Sequence, residues 1–319
     1  MSEIFRESND YMFIDLTSPT FKKYRIKQGV YSVFVTPFTS DFKINYSDID
    51  NWLDLQSKSS VTGFVLMGTT SESPTISRIE QLNIINYIVA KNNMQEEPKY
   101  IIIGVGGNDT METYEFSKMV YSLGNALMVT VPSYNKPTQK GIIQHFSMFN
   151  EFNCPIMMYN VPGRTGLNML PETMKIITDT CENIVALKEA SGNIEQLITI
   201  KSLMPDLQVF CGDDNLLLDF MIHGCDGVIS VASNIIPEFV NTLYYYGIDD
   251  IKFATKIYYT YKYNEFVKAL FIESNPIPVK YMLHKINVYT NNIMRLPLTK
   301  LDEKYHGLID ECLKIFFKD

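Results

Sequence analysis

The sequence lacks a long apolar run, and no segment approaches the roughly 18 consecutive apolar residues of a membrane-spanning helix. The first 28 residues mix polar and aromatic side chains and lack the apolar core of a secretory signal. Positive charge is also in deficit, because 28 Lys and Arg residues stand against 36 Asp and Glu residues, for a net charge of −8. We therefore expect neither a membrane nor a nucleic acid as a partner.

Cysteine and histidine are both scarce. The five cysteines are odd in number and widely spaced without a CxxC pair, which indicates a reducing, cytoplasmic compartment rather than a disulfide framework. The four histidines show no HExxH or HxH spacing, so we expect no metal site. A Walker-type lysine loop is missing, and the glycines at 104–107 do not form GxGxxG leading into a helix, which argues against a nucleotide site.

What the sequence does contain is a series of short, β-prone apolar runs. The eight predicted strands are Val30–Val35, Gly63–Met67, Tyr100–Gly104, Ala126–Val131, Pro155–Tyr159, Ile184–Lys188, Gln208–Cys211 and Gly227–Val231. Helical patterns lie between them at Tyr46–Lys58, Arg78–Asn92, Met111–Leu123, Thr138–Phe152, Pro171–Cys181, Asn193–Met204 and Asp214–His223. This alternation predicts an α/β fold with parallel strands, and eight units favour a (β/α)8 TIM barrel over an open sheet.

The region after the eighth predicted strand is helical in pattern. Its predicted helices are Pro237–Tyr246, Asp249–Phe271, Pro276–Asn287 and Leu301–Phe316. No flexible linker or charge run marks a second domain. We therefore expect an N-terminal arm at residues 1–28, a barrel at 29–236, and C-terminal helices at 237–319 that complete and extend the barrel.

Lys188 is the most informative single residue, because it ends the sixth predicted strand. Burial at the mouth of a strand disfavours the charged form of an amine, so a neutral, nucleophilic fraction can exist near neutral pH. An imine-forming lysine needs this property. Taken alone, a lysine that simply extends from a strand end into solvent remains the simpler interpretation.

Other strand ends carry groups that suit such a lysine, and functional residues of barrels collect at these ends. Strand two leads into Gly68–Ser73, where backbone N–H groups can approach a carboxylate, although an ordinary glycine turn explains the segment equally well. Tyr134 and Tyr159 offer hydroxyls for proton relay, and Arg164 offers a fork suited to a carboxylate. Together they predict a site that makes or breaks carbon–carbon bonds through a lysine imine of a keto acid. Asp213 and Asp214, after strand seven, suit a cation or, more simply, the capping of a helix.

From about Gly29 to Leu298 these segments resemble the dihydrodipicolinate synthase / N-acetylneuraminate lyase family of pyruvate-dependent class I aldolases. The matching segments, in family order, are GTT-x-ES at 68–73, YNKP at 134–137, YNVPGRTG at 159–166, KEASGN at 188–193, GDD at 212–214, GVISV at 227–231 and NPIPVK at 275–280. Within the family, Arg164 and Glu189 resemble the synthase branch.

The resemblance implies a lyase without a metal or other cofactor, in which Lys188 forms an imine with pyruvate. Thr69 and Thr70 would hold the pyruvate carboxylate. Tyr159, linked to Thr69 and Tyr134, would shuttle protons. The counterpart of Tyr134 reaches in from a neighbouring subunit, so the chain is expected to form a dimer or tetramer.

The resemblance also implies a choice of aldehyde. Arg164 would bind the carboxylate of aspartate semialdehyde, and Gly212 and Ile229 would line the pocket. The expected reaction is then the condensation of pyruvate with aspartate semialdehyde, the committed step towards lysine by the diaminopimelate route. A sialic acid lyase or sugar-acid aldolase of the same family is the nearest alternative, and a barrel kept only for binding is the alternative of another class. Arg164 disfavours the former, and the retained catalytic set disfavours the latter.

Two departures from the family pattern stand close to the expected site. Ser71 occupies a position that is usually glycine, which we expect to narrow or polarise the carboxylate loop. Ser133 replaces the usual tyrosine before Tyr134, which removes an aromatic from the expected interface.

The sequence also bears on feedback. In lysine-sensitive members of the family, lysine binds at a dimer interface, and Ser73, Asn108 and Glu112 match polar residues of that pocket. Arg78 and Gln81, however, stand where histidines occur. The positive charge of Arg78 repels a cationic ligand, although it could instead pair with the carboxylate of the ligand, and Glu112 could still pair with the ammonium. Ser133 also replaces the aromatic that closes the pocket in those members, so we expect weak or no inhibition by lysine.

Overall fold

The computed structural model describes residues 24–317. Within this range eight strands close into a barrel in chain order, each parallel to its neighbours, with β8 paired to β1. The strands are β1 (Gly29–Val33), β2 (Gly63–Leu66), β3 (Tyr100–Val105), β4 (Ala126–Thr130), β5 (Ile156–Asn160), β6 (Ile184–Glu189), β7 (Gln208–Cys211) and β8 (Gly227–Ser230). The predicted (β/α)8 barrel is confirmed.

Helices surround the barrel and continue beyond it. They are α1 (Tyr46–Ser57), α2 (Arg78–Asn93), α3 (Thr110–Val120), α4 (Gln139–Ser147), α5 (Pro162–Thr165), α6 (Pro171–Thr180), α7 (Ile194–Leu203), α8 (Leu217–Ile222), α9 (Pro237–Asp249), α10 (Ile251–Thr260), α11 (Tyr263–Leu270), α12 (Ile277–Lys285) and α13 (His306–Leu313). Between residues 24 and 317, none of them is both long and apolar enough to cross a membrane.

Alternation along the strands separates two apolar clusters. Side chains such as Tyr31, Met157, Ala186 and Phe210 fill the barrel interior, while a larger cluster lies between the strands and the helices. Because inward positions recur every second residue, the residue two places after Ala186, Lys188, also faces the interior at the carboxyl end of β6.

The amino end of the barrel is closed by the segment before β1. The Ile26 N–H donates to Gln208 Oε1 at 2.8 Å, and Gln208 Nε2 donates to the Ile26 carbonyl at 2.9 Å. Ile26 is buried in the interior cluster. The interior therefore opens at the carboxyl ends of the strands. The rest of the expected arm, residues 1–23, lies outside the described residues.

Several helix boundaries differ from the predictions. The single helix expected at Asp249–Phe271 is two helices, α10 and α11, because Lys262 adopts the left-handed region with φ 51°. The helices expected at Thr138–Phe152, Asp214–His223 and Leu301–Phe316 each include a 3-10 turn, at Met148–Glu151, Asp214–Leu216 and Glu303–Tyr305. The spacing of apolar residues does not reveal such changes of backbone geometry.

Candidate active site

Lys188 lies at the centre of the open end of the barrel. It stands in register with Tyr159 of β5 and Phe210 of β7. Lys188 and Tyr159 are each only 6% exposed, and Lys188 Nζ lies 4.3 Å from the centroid of the Tyr159 ring. A buried amine therefore faces a buried phenol across one strand spacing.

The space around the amine depends on Gly212, at the end of β7. A Cβ atom at this position would lie 2.8 Å from Ala190 Cβ and 3.1 Å from Lys188 Cε. Both distances are shorter than a normal carbon–carbon contact, so any side chain would displace the lysine. Ile229, on β8, is buried in the cluster that fills the barrel interior.

The loop after β2 begins with a 3-10 turn, Thr69–Ser71. Thr69 lines the cavity beside Tyr159. Thr70 is buried, and its Oγ1 accepts a hydrogen bond from Asn275 Nδ2 at 2.9 Å. Ser71 is turned away from the cavity, since its hydroxyl donates to the Phe34 carbonyl at 2.7 Å. Ser71, which stands where we expected a glycine, thus bonds to the loop that follows β1 and does not enter the cavity.

A cavity of about 660 Å³ adjoins the Lys188 amine through the Tyr159 ring, although Lys188 itself is not among the described residues that line the cavity. It extends from Tyr159 and Thr69 to Arg164 on one side, and to Arg78 and Glu112 on the other. Thr69, Tyr159 and Arg164 therefore share one continuous cavity with Arg78 and Glu112.

Arg164 lies on the short helix α5, directly after β5. It is exposed at the mouth of the cavity, and its Nη2 donates to the Asn275 carbonyl at 3.1 Å. A guanidinium carries five N–H donors in a rigid fork. One bond to the protein therefore fixes the side chain and leaves donors for a carboxylate.

Tyr134 is placed differently from the other predicted residues. Its ring is 84% exposed, its φ is 70°, and its backbone N–H donates to the Thr165 carbonyl at 3.2 Å. It does not line the cavity of its own chain, as far as residues 24–317 describe it. The expected link between Tyr159 and Thr69 is not formed either, because no hydrogen bond joins their side chains in the described part of the chain. The structure thus brings together Lys188, Tyr159, Thr69 and Arg164, but not Tyr134.

Glu189, the residue after the lysine, points the opposite way along the strand. Its carboxylate is buried and accepts hydrogen bonds from the Ser191 N–H at 2.6 Å, Asn160 Nδ2 at 3.0 Å and Gln196 Nε2 at 3.2 Å. Burial raises the pKa of Glu189, while these hydrogen bonds oppose that shift. The network fixes the loop that follows Lys188.

Two acidic residues, Asp213 and Asp214, follow β7 at the open end of the barrel. Asp214 accepts from the Ser230 hydroxyl at 2.5 Å and from the N–H groups of Val231 and Ala232 at 2.8 and 3.1 Å. The expected capping therefore occurs, but Asp214 caps the turn that follows β8. Asp213 precedes the turn Asp214–Leu216 and, within the described range, makes no side-chain capping bond to it. Burial raises the pKa of Asp213 to about 6, although the charge of Lys188 opposes the shift.

Among the residues that the structure describes, no group of three His, Cys, Asp or Glu side chains could hold a metal.

One buried ion pair was not predicted. Glu72, just after the Thr69–Ser71 turn, pairs with Lys280 of α12, and both side chains are fully buried. Both residues belong to segments that carry the family resemblance, but nothing in their spacing indicates that they meet.

Comparisons with known proteins agree with this geometry. A model of the dihydrodipicolinate synthetase family matches residues 27–315. The 4-hydroxy-tetrahydrodipicolinate synthase of Endomicrobium trichonymphae is 39% identical over 293 residues, which cover 90% of this chain and 98% of the relative. The dihydrodipicolinate synthase of Aquifex aeolicus superposes with a TM-score of 0.86 at 33% identity, covering 92% of this chain and all of that one. The synthase of Cyanidioschyzon merolae, solved with lysine bound, has a TM-score of 0.85 at 32% identity, covering 90% of this chain and 97% of its own.

Proposed function

This chain belongs to the dihydrodipicolinate synthetase family, and from that premise we propose that it condenses pyruvate with aspartate semialdehyde as a 4-hydroxy-tetrahydrodipicolinate synthase. Its reaction is of the lyase type. The observation that carries the proposal is the buried Lys188 amine beside the Tyr159 ring, at the open end of a closed barrel. Such an amine suits imine formation with a keto acid.

The first half of the reaction is imine formation. The Lys188 amine adds to C2 of pyruvate, and the carbinolamine loses its hydroxyl as water to give the imine. Tyr159 supplies and removes the protons of these steps. Thr69 and Thr70 hold the pyruvate carboxylate. Thr70 suits this role because its hydroxyl accepts from Asn275, which leaves its own proton to donate.

The second half makes the carbon–carbon bond. Loss of a proton from the former methyl group of pyruvate gives an enamine, whose terminal carbon adds to the aldehyde carbon of aspartate semialdehyde. The alkoxide formed takes a proton and becomes the hydroxyl group. The amino group from the semialdehyde then adds to C2 of the imine and expels Lys188, which closes the ring and frees the enzyme. No cofactor is required, since the covalent imine supplies the electron sink.

Arg164 accounts for the choice of aldehyde in this proposal. It lies at the cavity mouth, held by Asn275, and its guanidinium can bind the carboxylate of the semialdehyde in a bidentate manner. Tyr134 supports a site shared between subunits, because its exposed ring is free to enter the cavity of a neighbouring chain. We therefore propose at least a homodimer.

The test compares two aldehydes with pyruvate at saturation, aspartate semialdehyde and N-acetylmannosamine. We expect turnover with the former, and Arg164→Ala should raise its apparent KM roughly 10- to 150-fold while changing that of pyruvate little. Arg25→Ala is the control, because Arg25 lies at the opposite end of the barrel and is largely exposed. A preference for N-acetylmannosamine would assign the chain to the lyase branch, and equal effects on both KM values would remove Arg164 from the aldehyde site.

A further inference from the structure

The loop that would hold the pyruvate carboxylate turns at an unusual residue. Glu72 adopts φ 57° and ψ 31°, the left-handed region that non-glycine residues rarely occupy. It ends the Thr69–Ser71 turn and precedes a second 3-10 turn, Ser73–Thr75. Such a conformation persists only where surrounding contacts hold it.

The contacts that hold Glu72 come from the C-terminal part of the chain. One carboxylate oxygen accepts from Lys280 Nζ of α12, and the other accepts from the Arg295 N–H at 3.2 Å. Lys280 Nζ also donates to the Ile293 carbonyl at 3.0 Å. Because the Glu72 and Lys280 side chains are fully buried, neither can contact a substrate, and any effect on the reaction must pass through the loop backbone.

The same segment reaches both expected substrate subsites. Asn275, just before α12, donates through Nδ2 to Thr70 and accepts through its carbonyl from Arg164. Lys280 lies on the first turns of α12 and anchors the helix to Glu72. The start of α12 therefore joins the carboxylate loop to the arginine at the cavity mouth.

We propose that Glu72 and Lys280 are positioning residues that set the Thr69–Thr70 loop for the keto-acid carboxylate. The inference rests on the proposed function, because it takes the contact of this loop with pyruvate from there. It adds a specific role for the C-terminal helices, which is to fix the loop of the second barrel strand from outside the barrel.

The test replaces both partners at once, as Glu72→Met with Lys280→Met. Removing a single partner would leave an unpaired buried charge, whereas an apolar pair of similar volume is often tolerated. The measurement is the pyruvate concentration that half-saturates borohydride trapping on Lys188, a step that needs no aldehyde. We expect this concentration to rise about tenfold or more, because the charge-assisted contacts to the carboxylate are misplaced. Trapping at saturating pyruvate should stay near the wild-type extent.

Lys285→Met is the matched control. Lys285 lies on the same helix as Lys280, and the change breaks its ion pair with Asp310 of α13 at 3.0 Å, away from the loop. It should leave half-saturation unchanged. Glu72→Gln with Lys280→Met keeps the size of the Glu72 side chain and an acceptor for the Arg295 N–H without leaving a buried charge. It should give a smaller rise than the double methionine variant.

Unchanged half-saturation in a folded double variant would overturn the inference. Failure to fold of both the double methionine variant and the Glu72→Gln, Lys280→Met variant would also overturn it, since the pair would then serve overall stability. Absence of trapping in the wild-type chain would instead contradict the proposed function itself, so the two failures are distinguishable.

Discussion

At the residue scale, the chemistry depends on how Lys188 and Tyr159 are presented to one another. They lie on adjacent strands in direct register, both nearly inaccessible to solvent. The exclusion of water strengthens electrostatic interactions between such groups. In the proposed reaction, the Tyr159 hydroxyl carries protons as water leaves the carbinolamine.

Tyr159→Phe keeps the ring that packs beside Lys188 and removes only the hydroxyl. If this hydroxyl carries protons, turnover should fall roughly 10²–10⁴-fold, while the free energy of unfolding changes little. Steady-state kinetics with both substrates at saturation provides the measurement. Tyr100→Phe is the control, because its hydroxyl bonds to the Asn125 carbonyl at the amino end of the barrel. A near-wild-type rate for Tyr159→Phe would limit its hydroxyl to a structural role.

Asp213 gives a pH-dependent prediction. Its pKa rises from 3.8 to about 6 on burial, so the folded chain binds more protons than the unfolded chain between these values. Stability is therefore lost as pH rises through this window. Asp213→Asn should be more stable than wild type at pH 7, by on the order of 1–3 kcal/mol, and the difference should vanish below about pH 4. Urea unfolding at both pH values checks this, and an unchanged or reversed difference at neutral pH would contradict it.

The sequence allowed some of these residues to be placed and not others. Lys188 and Tyr159 end apolar runs, and inward alternation then fixes the side of the strand on which they lie. The hydrogen bond between Asn275 and Thr70 could not be predicted, because the two residues are 205 positions apart and the sequence around neither residue indicates its partner. The partner of the Ser71 hydroxyl, the Phe34 carbonyl 37 positions earlier, could not be predicted either, and the effect of Ser71 on the loop stays a prediction.

At the scale of elements, the strands were more predictable than the helix boundaries. A strand of four to six buried residues appears directly as an apolar run. The division between α10 and α11 depends on a single left-handed residue, Lys262, which apolar spacing does not reveal. The 3-10 turns at helix ends were missed for the same reason.

The contact between α2 and α3 bears on regulation. Arg78, the first residue of α2, donates from Nε to Glu112 of α3 at 3.1 Å, from Nη1 to Gln81 at 2.9 Å, and from Nη2 to the Gly106 carbonyl at 3.2 Å. Its guanidinium also lies 4.5 Å from the centroid of the Phe116 ring. Arg78 is thus already paired with Glu112, the carboxylate that the resemblance leads us to expect near the ammonium of a lysine ligand.

We accordingly predict weak or absent inhibition by lysine, because a lysine ligand must displace this internal cation and meets a like charge. Titration of lysine at saturating pyruvate provides the measurement. Arg78→His, which introduces the residue type expected in lysine-sensitive members of the family, should increase sensitivity. Half-inhibition of the wild-type chain at submillimolar lysine would mean that the pocket accepts the ligand with Arg78 in place.

At the scale of the whole molecule, the number of alternating units was enough to predict closure of the barrel. The seal at its amino end was not predicted, because the Ile26–Gln208 contacts join distant parts of the chain. The shared site was expected from the resemblance alone and stays a prediction, with which the exposure of Tyr134 is compatible.

Subunit exchange tests the shared site. Mixing Tyr134→Phe chains with Lys188→Ala chains should restore some activity, because a mixed dimer contains one site with both Lys188 and a partner's tyrosine hydroxyl. A mixture of Tyr159→Phe and Lys188→Ala is the control and should stay inactive, since both residues come from the same chain. No recovery in the first mixture, despite demonstrated exchange, would contradict the shared site.

The central claim is that Lys188 forms an imine with pyruvate, and borohydride trapping followed by peptide mass analysis tests it most directly. We predict one pyruvate-derived adduct per chain, located on Lys188. The adduct should be lost in Lys188→Arg, because a guanidinium stays protonated and cannot form the imine. Lys280, the fully buried lysine whose pKa burial lowers to about 8, is an internal comparison and should remain unlabelled. An adduct on another lysine, or none in the folded wild-type chain, would contradict the account.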